Sequence, residues 1–105
     1  MYQVVLSNCP DTKTAERIAH RLIADRLAAC VNIMPNVSSV YSWQNEIQQD
    51  TEVMLIIKSK KSQFVQLESL ITELHPYEVV EVIALDIQQG NEPYLNWINN
   101  MVKNN

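Results

Sequence analysis

His75 stands in the densest stretch of functional side chains in the chain: His75-Pro76-Tyr77-Glu78, with Glu81 three residues on. Imidazole and carboxylate together suit copper or zinc. The same histidine also reads as a helix C-cap ahead of a structural turn, because positive charge is favoured at a helix C-terminus. Cys9 is a second metal candidate. It closes an apolar run just before a helix start, a placement that can lower a thiol pKa and make it a soft ligand. A buried, inert cysteine is the alternative. Lys58 ends another apolar run. It reads as the partner of Glu78 or Glu81 in an ion pair, within one subunit or across two. The sharper reading is an ammonium that holds a ligand, with Tyr77, in a cleft between subunits.

Other combinations fail on spacing. The order Cys9, His20, Cys30, His75 has no zinc-finger pattern. His20 reads as a surface residue and Cys30, inside an apolar run, as core. A single glycine, Gly90, excludes a P-loop and a dinucleotide fingerprint, which need several close together. Ser7, Ser38 and Ser39 have no glycine elbow, so nucleophilic catalysis has no motif. An acylphosphatase-like reading wants an anion-cradling loop, whereas the Cys9-Pro10-Asp11 turn lacks glycine and carries an acid. The chain therefore reads as a non-enzyme. Its net charge of −4 argues against nucleic acid as a partner. An RNA-recognition module would also need aromatics on the central strands, and these are aliphatic. Met1-Tyr2-Gln3 runs straight into an apolar segment, with no signal-peptide pattern, and no apolar stretch reaches membrane-spanning length. Two cysteines do not make a disulfide framework. Together these point to reduced thiols and a cytoplasmic protein of one domain, residues 1–105.

The elements that position these residues follow from periodicity. Gln3 to Cys9 is a β-branched run and reads as a strand. Asp11 can cap the helix that follows, in which Ala15, Ile18, Ala19, Leu22 and Ile23 share a face. A strand from Ala28 to Met34 is interrupted by Pro35-Asn36 and resumes from Val37 to Trp43; the proline marks an edge or a bulge. Gln44-Asn45 turns the chain into a second arm. Val53 to Ile57 is continuously apolar, which predicts a strand buried on both faces. Ser62 is a candidate cap for a helix with Phe64, Leu67, Leu70, Ile71 and Leu74 inward, ending at His75-Pro76. Glu81 to Ile87 is a fourth strand. Asn91 opens a last helix with Glu92 and Pro93 in its first turn, and with Tyr94, Leu95, Ile98, Met101 and Val102 facing inward.

The order β-α-β-β-α-β plus one helix is the ferredoxin-like α+β layout, an antiparallel sheet with helices on one face. Its other face has no helix to cover it. The arm from Ala28 to Trp43 would reach about 50 Å, against a radius of gyration near ~13 Å for a compact domain of this length. Tyr41 and Trp43 therefore sit beyond the core of their own chain. With Trp97 they read as packing between subunits, and a closed cyclic assembly would cover arm and sheet face together.

At this point the sequence resembles a known family. Arg26-Leu27-Ala28-Ala29-Cys30-Val31-Asn32-Ile33, Ser38-Ser39-Val40-Tyr41-Ser42-Trp43, Glu52…Ile57-Lys58, His75-Pro76-Tyr77-Glu78 and Tyr94-Leu95-Asn96-Trp97 match the CutA divalent-cation tolerance pattern in order and spacing, over essentially the whole chain. The resemblance implies a ferredoxin-like subunit in a tight homotrimer, an architecture shared with PII-type signalling proteins. It implies a cytoplasmic link to divalent metals, notably copper. Copper binding in some members is attributed to a first-strand cysteine and a histidine pair before Pro-Tyr. Here those places hold Ser7, with Cys9 two residues on, and Leu74-His75. Val80 stands where many members have proline. A PII-like module that takes a small ligand or protein partner in inter-subunit clefts, without metal, is the alternative.

Overall fold

The computed structural model describes residues 1–104. Four strands and three helices run in the order β1 (Tyr2–Cys9), α1 (Thr12–Ala24), β2 (Cys30–Trp43), β3 (Glu46–Lys60), α2 (Phe64–Leu74), β4 (Ile83–Asp86) and α3 (Glu92–Met101). The sheet order is β2-β3-β1-β4, with every neighbouring pair antiparallel. This is the expected α+β topology.

Local signals explain most boundaries. Asp11 has extended backbone and its carboxylate accepts from the Thr14 N–H at 2.7 Å, satisfying one free donor of α1. Gln44 and Asn45 both have positive φ, the two-residue hairpin turn whose twist matches its strands. Two expectations shift. Ser62 is not a cap: a single 3₁₀ turn, Lys61–Gln63, leads into α2, and Gln63 caps it without a side-chain bond. β4 is four residues long, so Glu81 and Val82 precede it.

The core lies on one face of the sheet. Val5, Cys9, Val53, Leu55 and Ile57 point to it and meet Ala15, Ile18 and Leu22 of α1 and Leu67, Leu70 and Ile71 of α2. The alternate residues Val4, Leu6, Met54 and Ile56 are only half-buried, and Ile83 and Leu85 are exposed. The apolar run of β3 is thus buried fully on one face, not two. Among the described residues nothing covers the rest. Cys30 pairs with Lys58 on that open face and is half-buried, not core.

α3 is tied to the end of the molecule. Arg26 donates to the Met101 and Asn100 carbonyls, and buried Lys60 donates to Asn99 and Asn104. Only Ile98 and Val102 are fully buried; Tyr94 and Met101, expected inward, stay exposed.

β1 pairs with β3 only as far as Val53. Beyond it, Val37–Trp43 and Glu46–Glu52 pair with each other alone, as a two-stranded ribbon. The ribbon stretches the chain to 44 × 26 × 21 Å, with a radius of gyration of 14.2 Å. Between Met34↔Met54 and Val37↔Glu52 the register shifts, so Pro35 and Asn36 oppose Val53 alone. Asn36 takes φ 63° there. This is a bulge on an edge strand, where proline is tolerated.

Candidate functional site

The bulge decides which way the ribbon's aromatics face. Strand side chains alternate, and a bulge seats two residues against one, so it reverses the alternation counted along the sequence for everything after it. Beyond the bulge Val37, Tyr41 and Trp43 fall in register with Glu52, Gln48 and Glu46. Those share the open face with Met54 and Asn8. Plain alternation from Met34 would put both aromatics on the helix side, and the bulge reverses it.

Here the ribbon base meets the segment that leaves α2. Asn8, Tyr41, Trp43, Glu52, Tyr77, Glu78, Val79 and Glu81 line a pocket of about 350 Å³. Five residues singled out from sequence are thus brought together: Tyr41, Trp43, Tyr77, Glu78 and Glu81. Tyr41 donates its hydroxyl to Asp50, and Tyr77 donates to Glu52 at 2.7 Å. The Tyr77 phenol is pushed well up, first by burial and then by that bond. Asn8 Nδ2 donates to Glu81 at 3.4 Å. Burial, then the nearby Glu52 charge, raises the Glu81 carboxyl above the ordinary carboxylate range.

His75 stands behind this wall, buried. Its Nε2 lies 2.7 Å from the Asn8 carbonyl, and the Tyr77 N–H donates to its Nδ1 at 3.2 Å. That pattern assigns the proton to Nε2 and leaves no free lone pair on the ring. Its ring centroid lies 4.6 Å from that of Tyr77. His75 therefore fixes the chain from Asn8 to Tyr77 in the position that forms the pocket.

Cys9 neighbours Asn8 in sequence but points the other way, into the core, with no exposure. Burial, helped by Asp11 and Glu52, pushes its thiol up to about 11, the opposite of an activated cysteine. Lys58 does not pair with Glu78 or Glu81 within the chain. It lies on the open face four residues beyond Met54, and its ammonium donates to Asn32. Trp97 sits apart on α3, packed against Tyr94 at 5.5 Å between ring centroids. Among the described residues, no three His, Cys, Asp or Glu side chains converge as metal ligands. Within a single chain, Cys9, His75, Glu78 and Glu81 therefore do not form a site that fits copper.

Sequence reasoning missed Glu52, only 7% exposed, and Asn8. From the sequence Glu52 reads only as the first residue of a strand motif. The available signal was the alternation of β3, which puts Glu52 on the same open face as Met54, where the bulge seats Val37 opposite it.

The fold and this pocket define a class: a ferredoxin-like α+β domain with an aromatic, acid-lined cleft on its helix-free side. Residues 3–101 match the family of the CutA1 divalent ion tolerance protein, and the chain belongs to that family. It is 44% identical to the divalent-cation tolerance protein CutA of Thermus thermophilus over 98 residues, 93% of this chain and 95% of that protein. A solved Thermus thermophilus structure superposes with a TM-score of 0.96 at 42% identity, covering 98% of this chain and all of the other. Mouse Protein CutA is 44% identical over 95 residues, 90% of this chain but 54% of the mouse protein. The chain thus spans about half the length of that vertebrate relative.

Proposed function

We propose that this chain works as a cytoplasmic homotrimer that binds divalent metal ions and so serves the tolerance role for which its relatives are named. The observation that carries this reading is the acid-lined pocket. Glu52, Glu78 and Glu81 gather there, and the ion pairs among the described residues, Arg21–Asp25 and Lys61–Asp86, lie elsewhere. Hard divalent ions need only one or two carboxylates and water, so this donor set suits them better than copper. Copper at His75 would require opening its bonds to Asn8 and Tyr77. The trimer is supported by the open sheet face, where Leu6, Met54, Ile56, Ile83 and Leu85 adjoin exposed Tyr41 and Trp43. The unpaired thiols of Cys9 and Cys30 support the cytoplasm.

Native mass spectrometry of the metal-free protein, with and without a slight excess of Cu(II), Zn(II) or Mn(II), tests the proposal. The expected result is a trimer that takes up ions in threes, with uptake lost in Glu52→Gln and Glu81→Gln. Ile56→Asp should reduce the trimer to monomers. Monomers in the parent, or a trimer that takes up none of the three ions, would overturn it. Copper uptake that vanishes in His75→Ala but survives Glu52→Gln would restore the histidine as the ligand.

A second reading has its own observation: three of the pocket's residues are aromatic. Metal binding makes no use of Tyr41, Trp43 and Tyr77 side by side. They favour a PII-like module that takes a small organic ligand in a cleft between subunits.

A further inference from the structure

The pocket is chemically one-sided. Its charged groups, Glu52, Glu78 and Glu81, are all acids. No lysine, arginine or histidine forms an ion pair with any of them among the described residues. Glu52 is nearly buried, and a carboxylate taken out of water without a counter-charge is costly. The raised carboxyl of Glu81 agrees with a site short of positive charge.

The hydrogen-bonding inventory is one-sided too. Tyr41 and Tyr77 already donate their hydroxyl protons to Asp50 and Glu52, and the Asn8 amide N–H is directed at Glu81. What stays open is acceptor: Glu52 Oε1, the Glu81 carboxylate, and Asn8 Oδ1, a buried oxygen without a donor. A ligand here must bring protons and positive charge. The rest of the wall is aromatic, with Tyr41, Trp43 and Tyr77 each about two-fifths exposed. Aromatic faces attract ammonium groups. A volume of about 350 Å³ lies at the small end of ligand pockets.

We propose that the pocket binds a small primary amine, its ammonium between Glu52 and Glu81 and its apolar or aromatic body against Trp43, Tyr41 and Tyr77. This rests on the second reading above and gives it a ligand class. A bare metal ion would satisfy the carboxylates and leave the rings unused. A quaternary ammonium would satisfy the rings and leave the acceptors without donors.

Calorimetric titration of the full chain, with chelator present, tests it using three probes of one carbon skeleton: 3-phenylpropylamine, 3-phenylpropan-1-ol and 3-phenylpropanoate. The amine should bind once per chain, at least about tenfold tighter than the alcohol, with no binding of the carboxylate. Glu52→Gln and Trp43→Ala should each weaken the amine about tenfold or more. Glu81→Gln gives an independent check should Glu52→Gln fold poorly. Glu73→Gln, on the exposed side of α2, should change nothing. Equal affinity for amine and alcohol would overturn the cation while keeping a small-ligand cleft. Amine binding untouched by both glutamate variants would overturn the assigned site. No heat from any probe would overturn the proposal together with the small-ligand reading.

Discussion

The two ends of β3 obey the same alternation and meet different fates. From Val53 to Ser59 every second residue lies under helices, and Val53, Leu55 and Ile57 belong to one closed cluster. From Glu46 to Thr51 the same strand has only β2 beside it, and almost every side chain is exposed. The first end is held by burial. The second is held by ladder bonds and a tight turn, and a two-stranded ribbon alone is marginally stable in water. The contrast separates two jobs on one strand. The helix-backed half fixes the fold, and the ribbon holds aromatic surface out where another molecule can reach it.

The largest expected effect comes from the closed half. Leu55→Ala removes a side chain with no exposure and should cost about 2–5 kcal/mol in urea unfolding. Val40→Ala, on the ribbon and 64% exposed, should cost less than about 0.5 kcal/mol. Equal losses at the two sites would break the comparison. Next comes the ribbon turn. Gln44 carries φ 51°, which its side chain disfavours, so replacing Gln44-Asn45 by Asn-Gly should stabilise the turn by about 1 kcal/mol. Hydrogen exchange should slow several-fold from Ser38 to Asp50 and stay unchanged at Val5 and Leu55. Slowing in both places would mean that the ribbon and core open together.

The smallest effect sits where the halves meet. The Glu81 carboxyl is raised, so the native state holds its proton more tightly than the unfolded chain does. Stability from this group is complete below the ordinary carboxylate pKa and is lost as pH rises through the raised one. Glu81→Gln should therefore melt roughly 1–3 °C higher at pH 7, with the gap closing in acid. A variant that melts lower at neutral pH would show that Glu81 is stabilised there by a cation from another chain.

Much of the fold was legible because it follows from local signals. Asp11, Gln44-Asn45 and the spacing of Ala15, Ile18 and Leu22 act within a few residues, and the structure keeps all of them. The bulge was legible as well, from Pro35. What sequence could not supply was the facing of residues far apart. Lys58 and Glu81 look complementary in charge, but β3 carries the lysine beyond the pocket. His75 looks free until its ring is seen between Asn8 and Tyr77. Cys9 adjoins a helix start, yet strand alternation turns it into the core. Tyr94 and Met101 of α3 continue the apolar spacing of Ile98 and Val102, but among the described residues no core reaches far enough to cover them.

The extra residue at Pro35-Asn36 sets an arithmetic for length variation in this hairpin. Adding or deleting two residues in each arm beyond it would lengthen or shorten the reach and keep Tyr41 and Trp43 on their side. Deleting one residue of β2 between the bulge and Tyr41 would act like a frameshift in space. Every side chain of β2 beyond the deletion would change sides while the core beneath stayed intact, so a well-folded protein would be left with its aromatics facing away from Glu52.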